Sequence, residues 1–342
     1  MRKLKAISLF IFSLIATAAF AQESVFSQFY SSALYLNPAL AGVENETFLG
    51  VNYRSQWNNL SLPFNTFQAS FIHPVFQGGL KKRHLGGVGA SLLNDVAGPD
   101  NEFATQAFSL SAAWNIHLNE AGSHFISVAV QTGVGQQRIS YDNLHWSSQY
   151  STTAGFDGSL PGESSMTNMR VFRPILNTGL LWSYSVKGHK PMSFYNGLVL
   201  SNLPRTNSYF PGTVGDRSVI FKTHGGVTTP LSNNLEISPN YLVQVQGKNR
   251  QVNVGTYFGY SLPRGRSVTS GVKIIAGAWY RFHDGLIFST GVSTHKINIG
   301  FSYDNNMSSM GRTFGYTGAY ELSVAYRVPG KNNFKRISSP LI

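Results

Sequence analysis

The stretch KINIGFSYD (296–304) alternates at every position. Ile297, Ile299, Phe301 and Tyr303 are apolar or aromatic, while Lys296, Asn298, Gly300, Ser302 and Asp304 are polar or small. YELSVAYRV (320–328) repeats the pattern: Tyr320, Leu322, Val324, Tyr326 and Val328 form one set, Glu321, Ser323, Ala325 and Arg327 the other. In VKIIAGAWYRF (272–282) the even positions are all apolar or aromatic, and Lys273 and Arg281 fall among the odd ones. A period of two sends alternate side chains to opposite faces of a sheet. Every charge in these stretches lies on the second face. Beyond residue 21 no run of about 18 apolar residues occurs, so a helical membrane span is excluded. Only 12% of residues are charged, against about 25% in a soluble domain. Aromatics reach 13% and gather near the ends of the apolar stripes. A soluble β-sandwich also buries one face, but it carries more charge on the other. The pattern fits a transmembrane antiparallel β-barrel with aromatic girdles.

Fourteen strands are predicted, near 46–54, 64–74, 84–93, 104–118, 123–137, 172–187, 191–201, 217–229, 234–246, 250–262, 268–282, 285–293, 296–304 and 317–327. An even count is expected of a closed single-chain barrel with both ends on one side. The connections then fall into a longer, outward set and a shorter, periplasmic set. Two connections break that trend, near 247–249 and 283–284, and misplaced strands there would reduce the count to twelve. The longest connection, 138–171, is rich in Ser, Thr, Asn and Gly, and so long a loop is often functional. It is read as either a docking site or a plug. Trp146 and Tyr150, with Phe156 third, are its candidate partner-binding anchors, because large aromatics dominate binding hot spots.

Arg2, Lys3 and Lys5, an apolar core over 6–18 and Ala19-Phe20-Ala21 give the layout of a signal peptide over 1–21. A 22–45 arm, a 46–328 barrel and a 329–342 periplasmic tail complete the expected organisation. The chain has no cysteine, which excludes thiol catalysis and thiolate metal sites. Basic residues are scattered apart from Lys81-Lys82-Arg83, unlike a nucleic-acid surface. The nine histidines form no metal motif, although His145 beside Trp146 merits inspection. No Gly-x-Ser-x-Gly elbow occurs. Asp95, Asp100 and Glu102 could attract calcium but suit a solvated turn better. No catalytic residue, metal or cofactor is expected. Glycines such as Gly133, Gly135, Gly179, Gly255, Gly259, Gly277 and Gly300 share the inward face. They serve either strand curvature or the close approach of material inside the barrel.

One stretch remains: QFYSSALYLNPALAG (28–42), just ahead of the first strand. With Ser27, Gln28, Phe29, Asn37-Pro38-Ala39 and Ala41-Gly42 it resembles the amino-terminal motif of the PorP/SprF family of type IX secretion membrane proteins. The likeness continues through YRSQW (53–57), GAWYR (277–281), GFSYDNNMSSM (300–310) and GAYELSVAYR (318–327). It spans essentially the whole chain after the signal and has no counterpart over 138–171. The resemblance implies a non-enzymatic component integral to the outer membrane and in contact with its lipid. It would partner type IX secretion components: a large secreted adhesin with a type B C-terminal domain, or the periplasmic ring and motor proteins of gliding and secretion. Ser27–Gly42 is expected to be an ordered periplasmic or barrel-entry arm turned rigidly at Asn37-Pro38. Tyr30, Tyr35 and Leu36 would pack on the barrel base or a partner, making Tyr30, Tyr35, Leu36, Asn37 and Pro38 further partner-binding candidates. The alternative is a diffusion channel for hydrophobic or small polar solutes.

Overall fold

The computed structural model describes residues 26–58, 63–77, 84–141, 144–151, 153, 155–160, 168–186, 188, 191–204, 218–262, 271–307 and 318–328. The expected signal peptide and the 329–342 tail lie outside them. In chain order the strands are β1 (Thr47–Gln56), β2 (Phe64–Phe76), β3 (His84–Ala97), β4 (Phe103–His117), β5 (His124–Ile139), β6 (Tyr150–Ser151), β7 (Gly155–Phe156), β8 (Met169–Val186), β9 (Met192–Ser201), β10 (Ile220–Pro230), β11 (Leu235–Gln246), β12 (Asn249–Ser261), β13 (Lys273–Arg281), β14 (Gly285–Ser293), β15 (Ile297–Asn306) and β16 (Ala319–Val328). β6 and β7 form a two-residue ladder of their own within the β5–β8 connection. The other fourteen close into one barrel, each antiparallel to its neighbour in the chain. The seam joins β1 to β16, from Thr47 opposite Val328 to Gln56 opposite Ala319. Closure pairs the edge strands, which lipid could not otherwise tolerate.

The fourteen predicted strands each have a counterpart. The two short connections that invited a twelve-strand count are real hairpins. Gln246 pairs with Asn249, with Gly247 in the left-handed region at φ 58°. Arg281 pairs with Gly285 across a turn in which His283 takes φ 61°. Several strands run further than their alternation required. β8 has 18 residues and β5 has 16, whereas a tilted crossing needs about 9–11. β3, β4, β5 and β8, with 14 to 18 residues, are the longest strands of the barrel.

The facing assignment follows the alternation. Ile299, Phe301, Leu322 and Val324 are exposed on the outer wall, and Ser302 and Glu321 between them are fully buried. Aromatics stand outward at both rims. Tyr53, Tyr280, Tyr303 and Tyr320 lie toward the end of the barrel where β1 joins β2 and β15 joins β16, and Trp114, Trp182, Tyr260 and Tyr326 lie toward the other end. The longer connections, 140–168 and 202–219 among them, mark the outer mouth. The short ones, such as 231–234 and 294–296, mark the base.

Candidate functional site

Residues 26–44 are not strand. They contain one helical turn, α1 (Ala33–Leu36), followed by a 3₁₀ turn over Pro38–Gly42. Asn37 is the joint between them. The proline after it forces Asn37 out of the helical region, and its φ and ψ are −155° and 120°. Its backbone N–H closes α1 on the Ala33 carbonyl at 2.9 Å. Its side-chain oxygen accepts the Ala39 N–H at 2.9 Å, capping the second turn, whose first residue is the proline. Two short turns meeting at an angle make a compact body rather than an extended arm.

That body lies inside the barrel, not beneath it. Every residue from Phe26 to Glu44 is buried except Ser31 and Tyr35, which are partly so. At the base, Glu44 pairs with Arg327 of β16 at 3.3 Å. The Gly42 carbonyl accepts from Asn115 of β4, and the Ala39 carbonyl from Ser127 of β5. Gln131 donates to the Leu34 carbonyl, and Asn37 donates to the Leu180 carbonyl and meets His224 Nε2 at 3.0 Å. Lys222 stands over the Tyr35 ring at 4.7 Å. Tyr30 packs between Trp279 and Tyr257, with ring centroids 5.6 and 6.0 Å away, and its hydroxyl meets Ser289 Oγ at 3.2 Å.

The tightest grip is on Ser27 and Gln28. Glu321 of β16 accepts the Ser27 N–H at 2.8 Å and the Gln28 N–H at 3.1 Å. Ser27 Oγ donates to Asp304 of β15 at 2.6 Å and accepts from both Arg54 of β1 and Arg281 of β13. Asp304 in turn pairs with Arg54 at 2.9 Å and Arg281 at 3.2 Å. Two arginines and two carboxylates, all buried, thus surround one serine. Buried charges persist only when paired and hydrogen-bonded. Each strand contributes one charged lumen-facing residue from a motif already noted: Arg54 from YRSQW, Arg281 from GAWYR, Asp304 from GFSYDNNMSSM and Glu321 from GAYELSVAYR. These stretches lie far apart in sequence and converge on the amino-terminal motif in space. The alternation put Arg281, Asp304 and Glu321 on the lumen face, and the structure adds Arg54. That they share one partner was not readable, because it depends on barrel closure.

The family model described as type IX secretion system membrane protein PorP/SprF matches residues 18–326. The chain belongs to the PorP/SprF family. A PorP/SprF barrel closed by fourteen strands is an integral outer-membrane protein. No curated protein sequence matches it significantly. Among solved structures it resembles the toluene transporter TbuX of Ralstonia pickettii, at 13% identity over 87% of this chain and 93% of that one, with TM-score 0.46. It also resembles the toluene transporter TodX of Pseudomonas putida, at 9% identity over 90% and 95%, with TM-score 0.49.

The other candidate residues of this PorP/SprF barrel lie elsewhere. In the 140–168 connection, Tyr150 is 56% exposed and Phe156 41%. Phe156 stacks on His145 at 4.0 Å, and Trp146 stacks on Tyr141 at 6.2 Å. Trp146 and Tyr150 bracket a short 3₁₀ turn over Ser147–Gln149. The two candidate groups are therefore separate: a body in the lumen and an aromatic cluster outside. In the possible calcium turn, Asp95 accepts from Thr66 and Glu102 accepts the Asp100 N–H. Among the described residues, no group of three or more His, Asp or Glu could hold a metal ion.

Proposed function

We propose that this PorP/SprF protein works as a docking component of the type IX machinery, anchoring a large secreted adhesin with a type B C-terminal domain at the cell surface, rather than as a diffusion channel. One observation carries the proposal. The space where a solute would pass is occupied by residues 26–44, tied to strands on both sides of the barrel by hydrogen bonds and buried ion pairs. A route for solutes needs a lumen that is open or opens cheaply, whereas a docking protein needs a rigid wall and an exposed contact surface. The His145–Phe156 cluster supplies such a surface, with large aromatics in solvent on a loop held by stacking.

The test is capture from native outer membrane. Intact protein should retain one large surface protein carrying a C-terminal secretion domain. A variant with Trp146, Tyr150 and Phe156 all replaced by Ser should lose at least nine-tenths of it while remaining a heat-modifiable barrel. Equal retention by both forms would move docking to the base, where periplasmic ring and motor proteins are the expected partners. Retention of no protein by either form would sink the docking reading.

A further inference from the structure

The lipid-facing side of β3, β4, β5 and β8 changes character in three steps towards the outer mouth. Outward residues paired directly across these strands form rows. The last apolar row holds Leu92, Phe108 and Val134, all exposed. The next holds Asn94, Gln106 and Gln136, one from each of three adjacent strands. Gln106 Nε2 donates to Asn94 Oδ1 at 3.0 Å, so two of these amides join side to side. The row above brings Arg138 of β5 directly opposite Arg170 of β8. Both continue the outward alternation, from Val134 on β5 and from Phe172 on β8. Like charges directly opposite one another on a sheet are destabilising unless an anion lies between them. Arg138 Nη2 donates to the Asn101 carbonyl at 3.4 Å, and among the described residues neither guanidinium has a carboxylate partner.

The height of the pair says what meets it. His124, which accepts from Trp182 Nε1 at 2.9 Å, marks the basal aromatic girdle on β5. From His124 to Val134 the strand advances ten residues. That is about 33 Å of strand, or about 25 Å of height at a tilt of about 40°, which matches the apolar band of an outer-membrane barrel. Gln136 then stands about 5 Å above the band and Arg138 about 10 Å. This is headgroup level, to which a long arginine side chain also reaches back. We propose that this face binds the phosphorylated sugar headgroup of an outer-leaflet glycolipid. Arg138 and Arg170 clamp one phosphate between them, and the amide row below meets the sugar hydroxyls. The site opens sideways above an unbroken apolar wall, so its ligand carries acyl chains that run down that wall. A soluble anion would have no use for the wall.

The test is native mass spectrometry of the full barrel in detergent, titrated with diphosphoryl lipid A, with its dephosphorylated form, and with diphosphoryl lipid A plus excess inorganic phosphate. Heat-modifiable migration verifies the fold of each variant. The intact protein should retain diphosphoryl lipid A about fivefold better than the dephosphorylated form, and excess phosphate should not displace it. Arg138→Gln/Arg170→Gln should lose that preference. Lys248→Gln/Arg250→Gln removes the same charge from exposed residues at the outer β11–β12 hairpin and should keep it. Should the first pair fail to assemble, Arg138→Lys/Arg170→Lys is measured instead. It keeps the charge but not the bidentate geometry, and retention should fall about twofold. Equal retention of the two lipids by the intact protein would overturn the proposal, as would equal loss in both glutamine pairs, which would reduce the effect to net charge. Displacement by inorganic phosphate would assign the arginines to a soluble anion, and unchanged retention in the lysine pair would leave the clamp without a role. Either result overturns the glycolipid site.

Discussion

A single methyl group reports whether residues 26–44 are seated in the lumen. A Cβ added to Gly179 would overlap Asn37 Oδ1 and press on the Pro38 ring. One added to Gly135, on an adjacent strand, meets nothing nearer than Ile175 at 3.6 Å. Gly179→Ala must therefore displace the Asn37-Pro38 joint, with a cost on the order of 1–3 kcal/mol for overpacking. Gly135→Ala should be neutral within about 0.5 kcal/mol. The unfolding midpoint of the two variants in detergent or lipid distinguishes them, and equal midpoints would mean that the joint is not against β8. Of the inward glycines, Gly179 and Gly300 are there for the lumen segment, since a side chain on Gly300 would strike Gln28. Gly255 and Gly277 instead make room for Trp279, and Gly133 lies against Ser109 of β4. Sequence could place these glycines on one face but could not separate their reasons, because the side chains that crowd them are brought there by strand pairing or by the lumen segment.

At the scale of the strand, the legible part was the part with a period. Alternation located fourteen strands and their facing because lipid imposes one polarity on every second residue of every strand. Strand ends were less legible, since beyond the bilayer both faces meet water and alternation loses its cause. β8 accordingly begins three residues earlier than predicted, at Met169. The lumen segment was illegible in place, though not in kind. Its Asn-Pro joint was recognised, but a segment without period carries no record of which face of the barrel it meets. One signal was available. The inward residues include Asn52, Gln68, Asn115, Gln131 and Asn240, all buried amides of the kind that bind backbone rather than line water. The membrane reading itself is tested by depth. Val324, halfway along β16, and Val328, at its basal end, both face outward. Val324→Arg should cost about 2–4 kcal/mol and Val328→Arg about 0–1 kcal/mol. Folded yield in lipid vesicles across a urea series measures both. Equal loss at the two positions would show that no hydrocarbon layer is centred on the strand.

For the whole molecule, strand number decides how much a barrel must be filled. About eight strands enclose only enough space for their own side chains, whereas 16–18 leave an aqueous channel. Fourteen fall between, so this barrel would hold a substantial void if its side chains were its only contents. Residues 26–44 remove that void, and they do so with both apolar packing and charge. Leu34, Leu40 and Tyr30 are 1–3% exposed, and Arg54, Asp304 and Glu321 close the outer end around Ser27. Breaking that closure should be costly, because removing one partner of a buried ion pair leaves the other uncompensated, at about 3–5 kcal/mol. Asp304→Ala takes the shared carboxylate from both arginines, leaving Arg54 with Glu321 alone and Arg281 with Asp284 alone, so it should loosen the outer end of the segment without removing its apolar anchors. In planar bilayers the intact protein should then show no steady conductance. Asp304→Ala should flicker between closed and conducting levels, and deletion of 26–44 should conduct continuously wherever the barrel still assembles. A triple variant, Asp304→Ala with a Ser31→Cys/Asn52→Cys disulfide placed where Ser31 Oγ lies 2.5 Å from Asn52 Oδ1, should be silent when oxidised and should flicker again on reduction. That reversal ties the current to movement of the segment rather than to a damaged wall. Steady conductance from the intact protein would mean that the lumen segment leaves a through-path, and the channel reading would then replace docking.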